Sequence, residues 1–441
     1  MSDTAKTGER RGRLRWVVIA MLFVLSTVNY ADRATMSYAG APLQAELGIT
    51  TVQMGYIFSA FGWAYVVGQL PGGALIDRFG AKAVYLGSIL IWSAFTLAQG
   101  FVAGVTTATA VGLFFVLRLL LGLAESPAFP ANARIVAAWF PVRERGTATA
   151  IFNSAQYFAL VAFAPIMGWI VQASSWHYVF IFMGVVGIVA GLIFAVTVYP
   201  PARHPRLGRA ELDYIEQGGA LVAEQGAASG RLSGATLKAL FKPRLLVSVY
   251  IGQYFITALT YFYSTWFPLY LIKQRGMSVL EAGFSAVLPA AAGWIGGILG
   301  GIWTDALLRR GASLSYARKL PIAAGSIVST IIVGCNFTSS GFLVILFMAI
   351  AFFGKGVASL GWVVIADAAP KQAAGLTGGI FNATSNIAGI ITPIGIGYLV
   401  TATGSFDLAL VAVAVHALLA AFFFCVTSGP IHRLTLDRAH A

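Results

Sequence analysis

Twelve stretches of about twenty residues or more, each nearly free of formal charge, recur along the 441 residues and leave little chain between them. They run over 16–38, 52–76, 83–104, 107–131, 146–171, 177–199, 245–272, 280–307, 319–336, 340–366, 374–401 and 406–428. A helix crossing a bilayer needs roughly 20 apolar residues. In hydrocarbon every backbone polar group must be satisfied within the segment, which leaves the helix as the element for such stretches. Only 10% of the residues are charged, against about a quarter in soluble domains. The expected fold class is therefore an all-α polytopic membrane protein with twelve transmembrane helices.

The net charge of +13 raises nucleic acid as a partner, but the distribution of cations argues otherwise. Of 29 Lys and Arg, 24 fall in the two termini and in alternate loops, from Lys6 to Arg15, at Arg78 and Lys82, Arg134 to Arg145, Arg203 to Arg244, Arg309 to Lys319, Lys371, Arg433 and Arg438. The opposite loops hold Lys273 and Arg275. That asymmetry follows the positive-inside rule and places both termini in the cytoplasm. The lipid bilayer, not nucleic acid, is the expected partner. The first stretch follows a basic segment, as a signal peptide would, but no small-residue cleavage site ends it, and it is expected to remain as the first helix. Cys335 and Cys425 form no motif and read as packing residues.

Residues 200–243 are polar, charged and rich in Gly and Pro, and they separate six spans from six. The expected organisation is an N-terminal half (1–199), a cytoplasmic linker (200–243) and a C-terminal half (244–441). An internal repeat supports it. "GTATAIFN" at 146–153 aligns with "GLTGGIFN" at 375–382, "GWIV" at 168–171 with "GYLV" at 397–400, and Pro141 with Pro370, all at an offset of 229. At 228, Gly55, Gly68, Gly72, Gly73 and Asp77 align with Gly283, Gly296, Gly300, Gly301 and Asp305. Two pseudo-symmetric six-helix bundles with a site between them at mid-membrane are a recurrent transporter plan.

The loop after the second span reads "GGALIDRFGAK", placing Gly73, Asp77, Arg78, Gly80 and Lys82 in a G-x-x-x-D-R-x-G-x-K pattern. In this loop the sequence resembles the major facilitator superfamily, with a degraded second copy in "GGIWTDALLRRG". Physically such a loop can act as a conformational latch, Asp77 facing a helix dipole or an Arg in one access state and releasing it in the other. No G-x-x-x-x-G-K-[ST] loop is present, so direct drive by ATP is not expected. Most of the 49 glycines read as small-residue helix packing.

Five ionisable groups fall inside spans: Asp32 and Arg33 on the first, Arg118 and Glu125 on the fourth, Lys355 on the tenth. A charge at mid-bilayer costs roughly 2.5–3.5 kcal/mol on insertion scales, so each is a functional candidate facing a partner or a polar cavity. Arg118 and Glu125 are seven apart and share a helix face. Asp32 and Arg33 are adjacent and point about 100° apart, so one can line a cavity while the other meets a neighbouring helix. Three cations against two carboxylates describe a site for an anion. Asp32 and Glu125 read as proton carriers, each with an Arg to compete for it. Protonation would free an Arg for substrate, coupling proton and anion. Asn29, Tyr30, Tyr65, Gln69, Asn153, Gln156, Tyr157, Asn382, Ser385 and Asn386 are polar residues that could line the cavity for a hydroxylated ligand or bridge helices. Gln253 is a further candidate contact, and Trp362 could stack on a carbon chain or pack against a neighbour.

The strings "NYADRATMSYAGAPLQAELGIT", "QMGYIFSAFGWAYVVGQLPGGALIDRFG", "RLLLGLAESPAFPANARIVAAWFPVRERGTATAIFNSAQY" and "GIFNATSNIAGIITPIGIGYL" resemble the anion:cation symporter family over nearly the whole chain. Its bacterial members bring in sugar acids such as galactonate, hexuronates, glucarate and galactarate. The resemblance implies a proton-coupled importer of a sugar-acid anion in the bacterial inner membrane, with protons as coupling ion and no other cofactor. It implies substrate contacts at Arg33, Tyr30, Tyr65, Gln156, Trp362 and Asn382, and proton coupling through Asp32 and Glu125 with Arg118 as modulating cation. It assigns nothing to Lys355. Another organic anion (a hexuronate, an aromatic carboxylate or an organophosphate) and a non-transporting sensor on the same fold are the rival readings. A monomer is expected. An enzyme is not, because no nucleophile–base set or metal cluster is apparent among the five histidines at 177, 204, 416, 432 and 440.

Overall fold

The computed structural model describes residues 13–222, 234–370 and 373–435. Lys6, Arg10, Arg11, Arg231, Lys371, Arg438 and His440 lie outside the described residues. Eleven helices there are long and apolar enough to cross a membrane. They are α1 (Leu14–Leu47), α3 (Ala81–Gln99), α4 (Thr107–Trp139), α5 (Arg145–Ala173), α6 (Trp176–Thr197), α7 (Arg244–Lys273), α8 (Val279–Arg309), α9 (Leu314–Phe337), α10 (Gly341–Ala368), α11 (Ala374–Thr403) and α12 (Asp407–Thr427). The helix between the first two, α2 (Thr51–Phe79), is 29 residues long. It is less apolar because Gln53, Gln69, three tyrosine or tryptophan residues and five glycines dilute it. Four of those glycines, Gly55, Gly62, Gly68 and Gly72, serve close contact with other helices.

The two six-helix bundles repeat down to their caps. Gly48, which caps α1, and Gly276, in the turn after α7, both take the left-handed region, at φ 65° and 69°, a conformation that favours glycine. Two residues later Thr50 and Ser278 open α2 and α8 with capping boxes closed by Gln53 and Glu281. The 228-residue offset thus survives in local geometry as well as in composition. Regular helix fails near the middle of the bundles. α4 is interrupted at Ser126–Pro127, directly after Glu125, and α10 at Ser359–Leu360, four residues after Lys355. α7 widens to a π turn over Phe262–Trp266, just before Pro268, which has no N–H to offer. Such turns concentrate at functional positions.

The halves meet closely on the side away from the chain termini. An added β-carbon on Gly55 of α2 would stand 2.8 Å from the Pro393 carbonyl of α11, and one on Gly283 of α8 would stand 2.6 Å from the Ala164 carbonyl of α5. These glycines are repeat mates, so the closure is itself pseudo-symmetric. Gly62 packs on Gly389 and Gly168 on Val279 in the same layer, and the Tyr56 and Tyr398 hydroxyls lie 3.1 Å apart. Nearer the terminal side, Phe129 of α4 stacks on Trp362 of α10 at 6.1 Å. The molecule is therefore sealed on the far side.

Between α6 and α7 a short helix, Arg209–Gln217, is tied to the first half. Helix α1 has no side-chain N-cap of its own. Glu211 supplies one from the linker, accepting from the Leu14 and Arg15 amides at 3.1 and 3.2 Å and from Arg15 Nη1 at 3.0 Å. An acid at a helix N-terminus satisfies free N–H groups and the positive dipole end together. Arg15 Nε also donates to Glu144 at 2.9 Å, and Tyr214 donates its hydroxyl to the same carboxylate at 2.6 Å. Burial opposes charge on Glu144, but the hydrogen bonds from Tyr214 and Arg15 outweigh it and hold the carboxyl below its ordinary value of 4.5. Its contribution is present at neutral pH and is lost as pH falls through that depressed value. Replacing Arg15 by alanine is expected to release the linker helix, leaving Glu211 buried without its cation, at a local cost of about 3 kcal/mol. Faster amide hydrogen exchange over 209–217, with exchange in α10 unchanged, is the result to look for.

Candidate functional site

The charged residues of α1 and α4 converge. Arg33 Nε donates to Glu125 Oε2 at 2.8 Å. Glu125 is 0% exposed and its second oxygen has no hydrogen-bond partner. Asp32, 3% exposed, turns instead to α3, where the Thr96 hydroxyl donates to its Oδ2 at 2.6 Å. Arg118, two turns before Glu125 on the same face, is buried and in the field of both carboxylates. It forms no ion pair with either. Adjacent side chains diverge by about 100°, which sends Asp32 to α3 and leaves Arg33 to reach α4.

Arg33 is enclosed by aromatic faces. Its guanidinium carbon lies 5.0 Å from the Tyr30 ring centroid, 4.6 Å from Phe61 and 4.8 Å from Tyr65. Cation–π contacts of this kind stabilise a desolvated cation. Neither η nitrogen has a hydrogen-bond partner among the described residues. One edge of a planar fork, the geometry suited to a carboxylate, is thus unused beside a bonded Nε. A cavity of about 20 Å³ opens here, lined in part by Asn29, Tyr30, Arg33, Tyr65, Phe129 and Asn153. It has room for a water, not for a sugar acid.

The second half reaches this point through a polar chain. Asn382 donates to Gln69 Oε1 at 2.9 Å across the interface. Asn386 donates to the Asn382 carbonyl at 2.8 Å, and Tyr261 donates to Asn386 Oδ1 at 3.0 Å. Tyr261 also lies in the electrostatic surroundings of Arg33, Tyr65 and Tyr30. Sequence reasoning missed it, although its place 228 residues after Arg33 marks the two as repeat mates. Thr96 was missed too, because one threonine in an apolar helix carries no signal. Gln156 is half-buried and donates to the Asn153 carbonyl at 3.3 Å, and Tyr157 is buried near it. Trp362 is 44% exposed and packs on Phe129 and, edge-on at 4.8 Å, on Phe381. Gln253 lies apart, bonded to Thr257 and set against Gly361 of α10. His416 is a packed residue, its ring nitrogen 2.7 Å from the Ala412 carbonyl.

The loop residues stand elsewhere. Asp77, Arg78, Gly80 and Lys82 line a separate cavity of about 220 Å³ on the terminal side, with Arg134, Trp139 and Tyr199. Lys82 Nζ sits 3.3 Å above the Tyr199 ring. Gly73 lies one turn before Asp77, with open space around it. Asp77 is exposed and has no ion pair among the described residues. Its mate Asp305 is engaged, 3.7 Å from Arg318, which also bonds Asp367 at 2.8 Å. The two copies of the loop differ in that the second is tied within its own half.

Two repeated bundles around a buried charged cluster, sealed on one side of the bilayer, describe a membrane carrier. The chain belongs to the Major Facilitator Superfamily, whose profile matches residues 22–317, and it is a multi-pass transporter rather than an enzyme. It is 52% identical over 432 residues to the "Probable galactarate/D-glucarate transporter" of Bacillus subtilis, covering 97% of this chain and 95% of that one. It is 39% identical over 436 residues to the "D-galactonate transporter" of Escherichia coli O6:H1, covering 98% and 100%. The crystal structure of a D-xylose–proton symporter superposes with a TM-score of 0.71 at 15% identity, over 96% of this chain and 99% of that one. That likeness concerns the fold.

Proposed function

We propose that the protein imports a sugar-acid anion into bacteria across the inner membrane, together with protons, by alternating access. The observation that supports this reading most directly is Arg33. It is a half-buried guanidinium with one nitrogen on Glu125, three aromatic faces around it, and no protein partner on its η edge. A substrate carboxylate placed on that edge completes the fork. Asn382, Gln69 and Tyr261 lie where hydroxyls along the chain would need donors and acceptors, with Tyr30 and Tyr65 lining the path beside Gln156. Trp362 with Phe129 covers the site from the terminal side and must part to admit or release a sugar acid. The galactarate/D-glucarate and D-galactonate transporters among its relatives supply the substrate class.

Proton coupling rests on Asp32 and Glu125. Protonating Glu125 weakens its hold on Arg33 and strengthens that of a substrate carboxylate, so proton and anion load together. Arg118 opposes proton uptake by its charge, and Thr96 positions Asp32. The latch at Gly73, Asp77, Arg78, Gly80 and Lys82 closes when the halves meet on the terminal side, which the cation distribution assigns to the cytoplasm. The chain acts as a monomer, since each carries a complete site between its halves.

Uptake of labelled galactarate, glucarate and galactonate into proteoliposomes, with and without an inward proton gradient, tests the reading. Gradient-driven accumulation of at least one is the expected result. Accumulation without dependence on the gradient removes proton coupling. No uptake of any of the three under either condition removes the substrate class.

A further inference from the structure

The proton and carboxylate roles above leave Lys355 without a task. It is 4% exposed on α10, in the middle of a membrane protein, and no carboxylate lies within ion-pair distance among the described residues. Its Nζ lies 5.5 Å from the Tyr157 ring centroid and 5.2 Å from that of Phe352. A desolvated ammonium without a counter-anion is costly, and ring faces offset only part of that cost.

The repeat shows where Lys355 points. On α2, Gly72 packs on Pro127 of α4, where an added β-carbon would stand 3.2 Å from the Pro127 α-carbon. On α8 its mate Gly300 packs in the same way on Val357 of α10, at 2.9 Å from the α-carbon. Glu125 stands two residues before Pro127, and Lys355 two residues before Val357. The two are therefore pseudo-symmetry mates, and Lys355 presents toward the central axis from the second half as Glu125 does from the first. The partner positions are mates too. Glu125 faces Arg33, while the mate of Arg33 is Tyr261, which carries no charge at neutral pH. The first half thus has a neutralised pair where the second has a cation and no acid. Tyr157 links the two, since its ring lies under Lys355 and its phenol belongs to the electrostatic surroundings of Tyr30 beside Arg33. Among the described residues no acid supplies a counter-anion for Lys355.

We propose that Lys355 receives a second carboxylate of the substrate, with the first on Arg33, so that the site selects a dicarboxylic sugar acid over a monocarboxylic one. This rests on the sugar-acid reading above and narrows it to aldarates. Each carboxylate binds a different half, so a dianion of the right length draws the halves together through charge, which a monoanion does from one end only.

Equilibrium binding of galactarate and galactonate to the purified full-length protein tests this. Wild type is expected to prefer galactarate by about tenfold or more. Lys355→Gln and Lys355→Met are expected to bring the ratio near one by weakening galactarate, with galactonate changed by no more than about threefold, and Lys355→Arg to keep the preference. Galactaric acid monoamide removes the charge from the ligand instead. On unmodified protein it is expected to bind like galactonate, so the proposal stays testable if the neutral variants do not fold. Equal wild-type affinity for galactarate and its monoamide, or equal loss of both acids in Lys355→Gln, overturns it. Failure of wild type to bind any of these acids counts against the sugar-acid reading itself.

Discussion

Replacing Arg33 with lysine is expected to reduce uptake of the substrate acid at least about a hundredfold, with protein yield and monodispersity preserved. The substitution keeps the formal charge, so a loss of this size isolates what the guanidinium does beyond charge. Arginine offers a planar fork that bonds a carboxylate through two nitrogens while a third holds Glu125, and its flat faces lie against the rings of Tyr30, Phe61 and Tyr65. A lysine ammonium is a compact point charge that can neither bridge two carboxylates in a plane nor stack. Breaking one partner of a buried pair costs about 3–5 kcal/mol, and each 1.4 kcal/mol is a tenfold change. The alanine variant is expected to be worse in both respects, because Glu125 at 0% exposure is then left with its charge uncompensated. Initial uptake rates over a range of substrate concentrations separate the two roles. A raised KM marks lost substrate contact, and a lowered maximal rate marks a disturbed proton cycle. Uptake by the lysine variant within about threefold of wild type would remove Arg33 as the carboxylate partner.

Valine at Gly55 or at Gly283 is expected to bring uptake below about a tenth of wild type by holding the far side open. Both glycines allow a helix from one half to lie directly on the backbone of the other, at Pro393 and at Ala164. A branched side chain at either place meets a carbonyl that cannot move without its helix. Overpacking a close contact costs about 1–3 kcal/mol, and here the cost falls on one access state and spares the other. That distinction is measurable. In a background lacking Cys335 and Cys425, a cysteine at Ser59, which is fully buried beneath this closure, is expected to react faster with a membrane-impermeant thiol reagent in the valine variants. Unchanged labelling together with lost uptake would locate the defect elsewhere, in folding or in the site. The equivalence of the two positions is a further check, since pseudo-symmetry requires both substitutions to act in the same direction.

Much of this architecture is legible in the chain because the bilayer is an undemanding reader of sequence. Length and apolarity decide that a segment spans, and loop cations decide which way it runs, without knowledge of any neighbour. The repeat is legible for a related reason. Glycines at Gly55 and Gly283, or Gly72 and Gly300, mark close backbone approach, which leaves little freedom to drift. The same reading finds every charge of the site, since a carboxylate or guanidinium in hydrocarbon stands out from its surroundings.

Partnership is another matter. That Arg33 bonds Glu125 while Asp32 bonds Thr96 depends on how far α1 is rotated against α3 and α4. Packing of apolar faces sets that rotation, and no local pattern records it. Tyr261 joins the site only because α7 lies opposite α1 across the pseudo-axis. Asp77 stands unpaired because the halves lean together at their far ends, a rigid-body matter that depends on the sum of many interface contacts. The chain by itself settled the kind of helices, their repeat, and which charges lie inside spans. The tertiary structure decided which charges meet, which side is sealed, and that Lys355 is buried with no acid in ion-pair reach among the described residues. Composition and spacing act within one helix, whereas pairing arises between helices brought together from distant parts of the chain.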